Sequence, residues 1–260
     1  MKKLNPKISF LFILLMLFLI QNSTGLEQKS KIQTNHTQFR SESQGFRLNP
    51  DFGKVPLYFI PNRGQVDAKA LYYAKARGYT LWMTSKGLVF DSIKEVKTAN
   101  QKTESDYPNL PEPIRQIERD VSRVVFLNAN KDIEIVPVDT ASHRVNYFIG
   151  NESSEWKRNI PTSKAVLYKE IYKNIDLKVY GVEKKIEYDW VVKPGGNPEE
   201  IRLEYMGVKG TRIDKEGNLV VDTKFGELMH KKPESYQVIE GKRVEVDVRF
   251  MMLRDNIYGF

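Results

Sequence analysis

The sequence predicts an all-β fold, an antiparallel β-sandwich or barrel-like domain of about a dozen short strands. Apolar and polar residues alternate with period two along most of the chain, as they do in half-buried strands. Glycine-containing turns such as Ser85–Gly87 and Lys193–Gly196 separate these segments. No helical pattern alternates with them, which argues against the βαβ units of a parallel sheet.

Short runs rich in β-branched and aromatic residues mark the candidate strands in chain order. They are Leu57–Ile60, Leu71–Lys75, Tyr79–Met83, Leu88–Asp91, Arg123–Leu127, Ile133–Val138, Arg144–Ile149, Ala165–Lys169, Asp176–Tyr180, Ile186–Trp190, Ile201–Tyr205, Leu219–Asp222 and Arg243–Phe250. The last segment alternates most strictly, with four apolar side chains on one face and four charges on the other. From the alternation we expect these side chains in the core: Ile186, Tyr188, Trp190, Val244, Val246, Val248 and Phe250.

The N-terminus has the pattern of a secretory signal peptide over residues 1–25. Three lysines precede Ile8–Ile20, an apolar run that only Ser9 interrupts, and small residues follow at Ser23 and Gly25. An uncleaved membrane anchor is the alternative, but the run is shorter than the roughly 20 residues that cross a bilayer. We therefore expect cleavage before Leu26, no membrane span afterwards, and a mature protein that is extracellular, at the cell surface or periplasmic.

Two polar stretches interrupt this organisation. Residues 26–50 are rich in Gln, Ser, Thr and Asn and are predicted to be a flexible leader. Residues 94–120 contain three prolines and read as a polar insertion, a mobile surface loop within a single all-β domain over residues 51–260.

Composition excludes several functional classes. There is no cysteine, so disulfides, thiolate metal sites and a cysteine nucleophile are absent. The chain has 41 basic and 33 acidic side chains, but three lysines lie in residues 1–25, and the remainder carries 38 against 33, a net +5. No basic tract occurs, so we predict no nucleic-acid partner. No phosphate-binding glycine loop or hydrolase motif is present, and we predict no cofactor.

Catalytic and metal-ligating candidates are sparse. His143 and His230 are far apart in sequence, and a metal site would need the fold to bring them together with carboxylates. Glu187 and Asp189 are the best enzymatic candidates, because two residues along one strand face are roughly 6.6 Å apart, near the spacing of paired glycosidase carboxylates. The alternative is that alternating acids form the solvated face of an antiparallel strand.

Aromatic residues offer a second kind of candidate site. Those at Tyr72, Tyr73, Tyr79, Trp82, Tyr147, Phe148 and Trp156 could form a stacking platform for a glycan or a groove for a peptide. Aromatics on strands more often belong to the core. Trp156 stands out because its neighbours are polar, but packing under its own loop is the favoured interpretation even there.

Several short motifs, none specific alone, follow one another from about Leu57 to Phe260. They are Tyr58–Gln65 followed by Leu71–Lys75, Val145–Asn151 leading to Trp156, Ile171–Leu177 with Tyr180–Gly181, Ile186–Val192 with Pro194–Gly195, Ile201–Leu203, Gly217–Leu219, and Lys232–Pro233 with Tyr236–Gln237. In this order they resemble the N-terminal domain of bacterial exported proteins that carry SBBP (seven-bladed β-propeller) repeats.

The resemblance implies an exported, non-catalytic β module that precedes propeller repeats and has a structural or binding role. Its partner would be a cell-surface protein or a glycan. No catalytic residues are implied. The recurring residues are interpreted as structural: Asn62, Gly64, Gln65, Asn146, Tyr147, Gly150, Trp156, Asp176, Gly181, Glu187, Tyr188, Pro194 and Gly195.

Physical reasoning gives several of these residues a role in the backbone. Gly64 is expected at positive φ, and the Asn62 side chain is expected to bond back to its turn. Gly150 and Gly181 are predicted to end strands, and Asp176 to accept backbone hydrogen bonds.

Two functional classes remain open. One is the non-catalytic surface module, and the other is a secreted glycan-acting hydrolase that uses paired carboxylates. Relatives continue beyond the position of Phe260, so we expect a C-terminal truncation. Asn256–Phe260 would then begin a strand that leaves an open, association-prone sheet edge.

Overall fold

A computed structural model describes residues 57–76, 78–96, 116–182 and 185–260, together with the backbone of Ser9–Leu11. The rest of the predicted signal peptide, the leader 26–50 and residues 97–115 of the predicted insertion lie outside the described residues. The predictions of cleavage and of mobility in those segments remain predictions.

Nearly all of the described elements are strands. They are β1 (Ser9–Leu11), β2 (Phe59–Pro61), β3 (Tyr72–Ala76), β4 (Tyr79–Thr84), β5 (Gly87–Val96), β6 (Gln116–Phe126), β7 (Glu134–Tyr147), β8 (Lys157–Tyr172), β9 (Ile175–Val182), β10 (Lys185–Val192), β11 (Leu203–Met206), β12 (Gly210–Ile213), β13 (Leu219–Thr223), β14 (Gly226–His230), β15 (Tyr236–Ile239), β16 (Lys242–Glu245), β17 (Met251–Arg254) and β18 (Ile257–Gly259). Two short 3-10 turns occur at Ser153–Glu155 and Pro198–Glu200.

One large antiparallel sheet dominates the fold, with strand order β10-β9-β8-β2-β3-β4-β5-β6-β11-β18-β17 and with β7 paired to β8. The sheet branches at β8. One side of β8 pairs with β7, and its other side meets β2 at Ser163 and β9 from Ala165 onward. This long strand therefore connects two portions of the sheet.

The two portions face each other across one core, which confirms the predicted all-β, sandwich-like fold. Phe126 of β6 lies 5.8 Å from Tyr168 of β8 and 5.9 Å from Trp190 of β10, measured between ring centroids. All three side chains are buried. A second, smaller cluster of Ile60, Tyr73 and Ile160 lies apart from this core.

Two small three-stranded sheets complete the described fold, with orders β12-β13-β14 and β1-β15-β16. In the second, Leu11 pairs with Tyr236 and Ser9 with Val238. Because β1 falls inside the predicted signal peptide, cleavage before Leu26 would leave that edge of β15 without this strand.

The strand predicted at Arg243–Phe250 is only partly correct. It ends at Glu245, and the chain then runs irregularly from Val246 to Phe250. Phe250 is buried, but Val244 is 44% exposed, and Val246 and Val248 are only half-buried. The physical reason is that β16 belongs to a small sheet outside the main core, and all four of its residues are exposed.

Both ends of the predicted polar insertion are strands instead of loops. β5 continues through Val96 and β6 begins at Gln116, with Lys94 opposite Glu118. Ile93 and Ile117 are 55% and 62% exposed there. Backbone hydrogen bonds between β5 and β6, and not apolar burial, stabilise this two-stranded extension. The amino-acid composition of the segment therefore did not predict the strands.

The predicted open edge at Asn256–Phe260 is also incorrect. β18 lies between β11 and β17, and Tyr258 is fully buried with its ring 5.9 Å from that of Tyr205. Of the described strands, none pairs with the outer side of β17, which therefore forms the edge.

Candidate functional site

The Asn62–Gln65 turn uses its polar groups internally. The Asn62 side-chain amide donates to the carbonyls of Asp67 at 2.9 Å and Ala70 at 2.8 Å, and its oxygen accepts from the Gly64 N–H at 2.9 Å. Gly64 adopts φ +93°. Gln65 donates to the Pro61 carbonyl at 2.8 Å and to the Tyr73 hydroxyl at 3.2 Å. These contacts fix the turn and leave little of Asn62 for a ligand.

Replacing Asn62 by alanine is expected to lower the free energy of unfolding by about 1–3 kcal/mol, because several hydrogen bonds to backbone groups are lost together. Urea unfolding would measure the change. Arg63→Ala is the matched control in the same turn, since Arg63 is exposed and its loss should cost less than about 0.5 kcal/mol. Equal effects of the two substitutions would contradict the structural role of Asn62.

The segment around Trp156 is also held by internal contacts. The Trp156 indole N–H donates to the Gly150 carbonyl at 3.2 Å, and the Asn146 side chain accepts from the Asn159 N–H at 2.7 Å. The ring of Trp156 meets Phe148 edge to face at 5.2 Å, and the Arg158 guanidinium lies over it. Crossed rings covered by a guanidinium do not form the flat platform that a sugar ring stacks on.

The other predicted aromatic residues do not share one surface. Tyr72 and Tyr79 belong to the main core, whereas Tyr73 is fully buried in the second cluster. Tyr147 is half-buried, 6.5 Å from Tyr73, and Trp82 donates its N–H to Asp91 at 3.2 Å. The sequence could not separate these environments because Tyr72 and Tyr73 are neighbours that point to opposite faces of β3.

The motif residues near Asp176 are likewise packed into the fold. An Asp176 carboxylate oxygen accepts from the Glu170 N–H and from the Lys193 ammonium, both at 2.8 Å. Gly195 adopts φ +85° in the turn after Pro194. Gly181 lies inside β9 and does not end it. A Cβ there would approach the Leu57 Cβ to 2.6 Å, so close packing explains this glycine.

Glu187 and Asp189 lie along β10 beside Tyr180 of β9. Tyr180 is paired with Glu187 in register, and its hydroxyl donates to Asp189 at 3.1 Å. Glu187 is only 5% exposed. Burial raises the pKa of both carboxyls, that of Asp189 to about 6, while the Tyr180 hydroxyl acts in the opposite direction. The pair therefore forms a largely buried acid–tyrosine network.

The raised pKa of Asp189 gives stability a defined pH dependence. The folded carboxyl holds its proton up to about pH 6, whereas the unfolded one loses it near 3.8. Asp189 therefore lowers the stability progressively as the pH rises through this interval. Asp189→Asn removes the effect. Urea unfolding should therefore show that the free energy of unfolding of the variant increases relative to that of the wild type between about pH 4 and pH 7. A constant difference would contradict the buried-carboxyl assignment.

The histidines are separated in the structure. His230 of β14 is buried near Tyr205 and Tyr188, and burial lowers its pKa to about 3, so it is neutral. His143 is exposed and lies 3.9 Å from the ring of Tyr58. Over the described ranges, no three histidine or acidic side chains are grouped as a metal ion would require.

A cavity of about 320 Å³, here called the Trp190 cavity, is the feature that sequence reasoning missed. Its walls come from the end of β10, the Pro198–Glu200 turn, the irregular segment after β16, and β17. The lining residues are Trp190, Pro198, Glu199, Ile201, Glu234, Ser235, Val246, Asp247, Val248, Arg249, Met251 and Phe260. It exists because the chain leaves the sheet after Glu245, which the alternating sequence does not indicate.

A second cavity of about 590 Å³ adjoins it and shares the residues Glu234, Ser235 and Val246–Val248. Neither cavity is lined by Glu187 or Asp189. The walls of the Trp190 cavity combine apolar side chains with a few charged ones, which is the usual make-up of a ligand-binding pocket.

The fold and its sites define an all-β domain whose motif turns are closed by internal hydrogen bonds. Over residues 59–260 the chain matches the family described as a domain of unknown function (DUF7948), and it belongs to that family. No curated protein and no solved structure matches it. Among the described residues, no helix has the length and apolar character needed to cross a membrane.

Proposed function

We propose that this chain is an exported, non-catalytic β module of a cell-surface or secreted protein of the SBBP-repeat type, with a structural or binding role. The observation that carries the proposal is the use of the motif residues. Asn62, Asn146 and Asp176 each bond to backbone groups of neighbouring segments. Because the polar groups of these residues are used to stabilise the fold, they favour a structural role. A catalytic site would instead need polar groups that are available to a substrate.

Export is the first part of the proposal to test. Lys2, Lys3 and Lys7, the apolar run Ile8–Ile20 and the small residues Ser23 and Gly25 support a cleaved signal peptide. The full chain would be expressed in a bacterial host and the mature protein analysed by mass spectrometry. We expect an N-terminus at Leu26 outside the cytoplasm. An intact Met1 on exported protein would refute cleavage.

The association with propeller repeats is tested by the DNA downstream of the codon for Phe260. In-frame SBBP-type repeats would support the proposed placement of the module. A stop codon followed by an unrelated gene would contradict it for this chain.

The hydrolase alternative is tested with Glu187 and Asp189. We expect the wild-type protein to release no product from a panel of chromogenic glycosides and polysaccharides between pH 5 and pH 7. The range includes the pKa of Asp189, about 6, so that a proton donor at this position would be active. Hydrolysis that disappears in Glu187→Gln/Asp189→Asn, while the double variant stays folded, would overturn the non-catalytic proposal.

A further inference from the structure

β17 presents an unpaired and apolar edge. Its inner side pairs with β18, and no described strand pairs with its outer side. Met251, Met252 and Leu253 are 41%, 49% and 41% exposed. An edge of this kind offers free backbone N–H and C=O groups to an extended segment of another chain.

The Trp190 cavity opens beside this edge strand. Met251 belongs to both features, since it begins β17 and also lines the cavity. The other apolar lining residues are Pro198, Ile201, Val246, Val248 and Phe260, together with the buried Trp190. At about 320 Å³, the cavity has room for one large apolar side chain. A strand edge beside a pocket is the arrangement in which main-chain bonds give affinity and the pocket gives specificity.

The charge around the cavity indicates what should flank that side chain. Glu199, Glu234 and Asp247 line it, against Arg249 as the one basic lining residue, and the adjoining cavity adds Glu245 against Lys232 and Arg243. The three acids have no ion pair within the described part of the chain, and so their charges remain open to a partner. An excess of unpaired carboxylates favours basic residues on the incoming segment.

We propose that the outer edge of β17 and the Trp190 cavity together bind an extended, basic segment of a partner protein, which places a large apolar side chain in the cavity. The segment adds as a further antiparallel or parallel strand on β17. Its apolar side chain contacts Val246, Val248 and Phe260, and lysine or arginine on either side faces Glu234 and Asp247. The inference deepens the binding role proposed above and does not depend on export or on propeller repeats.

A synthetic peptide with lysine alternating with valine around one central phenylalanine tests the proposal on the full chain by calorimetry. Two control peptides replace lysine by glutamate, or the phenylalanine by serine. We expect each control to bind about tenfold more weakly or worse, because each removes one of the two recognised features. Equal binding of all three peptides, or binding of none, would overturn the proposal.

Two tryptophan variants of the protein test whether the peptide binds in the Trp190 cavity or elsewhere on the surface. Val248→Trp fills the cavity and should abolish binding of the lysine peptide. Val244→Trp is the matched control, because Val244 is an exposed valine of the same segment that lines neither cavity. It should bind the peptide as wild type does. Unchanged binding by a folded Val248→Trp protein would overturn the proposal.

Asp247→Lys keeps the proposal testable if the cavity-filling variant does not fold. Asp247 is exposed, so its replacement should leave the fold intact. We expect this variant to lose affinity for the lysine peptide and to gain affinity for the glutamate peptide. Light scattering on the wild type and on Val248→Trp tests a different occupant. If the wild type self-associates and Val248→Trp does not, the occupant is a second copy of this chain, and the proposal of a basic partner segment is overturned.

Discussion

Replacing Trp190 by alanine is expected to cost about 3–5 kcal/mol of unfolding free energy, the usual range for truncating a large buried aromatic. Trp190 is 1% exposed, and its ring centroid lies 5.9 Å from Phe126, 6.0 Å from Tyr172 and 6.3 Å from Tyr188. It therefore joins the two portions of the sheet. The alanine variant loses these ring contacts. The space left by the indole joins the Trp190 cavity, and the enlarged cavity adds to the loss of stability.

Trp156→Ala is the control for this substitution. Trp156 is only half-buried, and its loss should cost about 1–2 kcal/mol from one hydrogen bond and partial burial. Urea unfolding followed by circular dichroism would measure both variants. A loss below about 1 kcal/mol for Trp190→Ala would show that Trp190 does not connect the two layers.

The fold class was predictable because period-two alternation reports which face of a strand is buried. At Ile186, Tyr188 and Trp190 the alternation identified the core side correctly, because this face of β10 packs into the main core although β10 is an outer strand of the large sheet. The same pattern wrongly predicted core positions for Val244, Val246 and Val248. Alternation predicts an extended chain with two unlike faces, but it does not say whether another layer covers the apolar face.

The candidate site was less accessible to sequence reasoning for a related reason. Glu187 and Asp189 were found from their spacing, but Tyr180 became their partner only through the register of β9 against β10. The Trp190 cavity depends on residues from Trp190 to Phe260 meeting in space, far apart along the chain. Local patterns carry no information about such long-range contacts, whereas the turn chemistry of Asn62 and Gly64 is local and was predicted from adjacent residues.

Replacing Gly87 by alanine is expected to destabilise the protein by about 3–5 kcal/mol, from a steric term and a backbone term together. Gly87 begins β5 at φ +152° and pairs with Val125 of β6. A Cβ at this position would lie 2.0 Å from the Val124 carbonyl oxygen. That atom belongs to the backbone, so it cannot move aside as a flexible side chain could, and β5 would have to separate from β6.

Gly78→Ala isolates the backbone term, because Gly78 precedes β4 at φ +89° and a Cβ there meets nothing within 4 Å. This variant should lose only about 1–2 kcal/mol, the cost of a left-handed conformation for alanine. Hydrogen exchange should also show faster exchange of β5 and β6 amides in Gly87→Ala but not in Gly78→Ala, since only the former substitution strains their pairing. Equal stability of the two variants would mean that β5 and β6 do not approach each other as closely at Gly87 as the structure shows, and the join between these two central strands would need a different register.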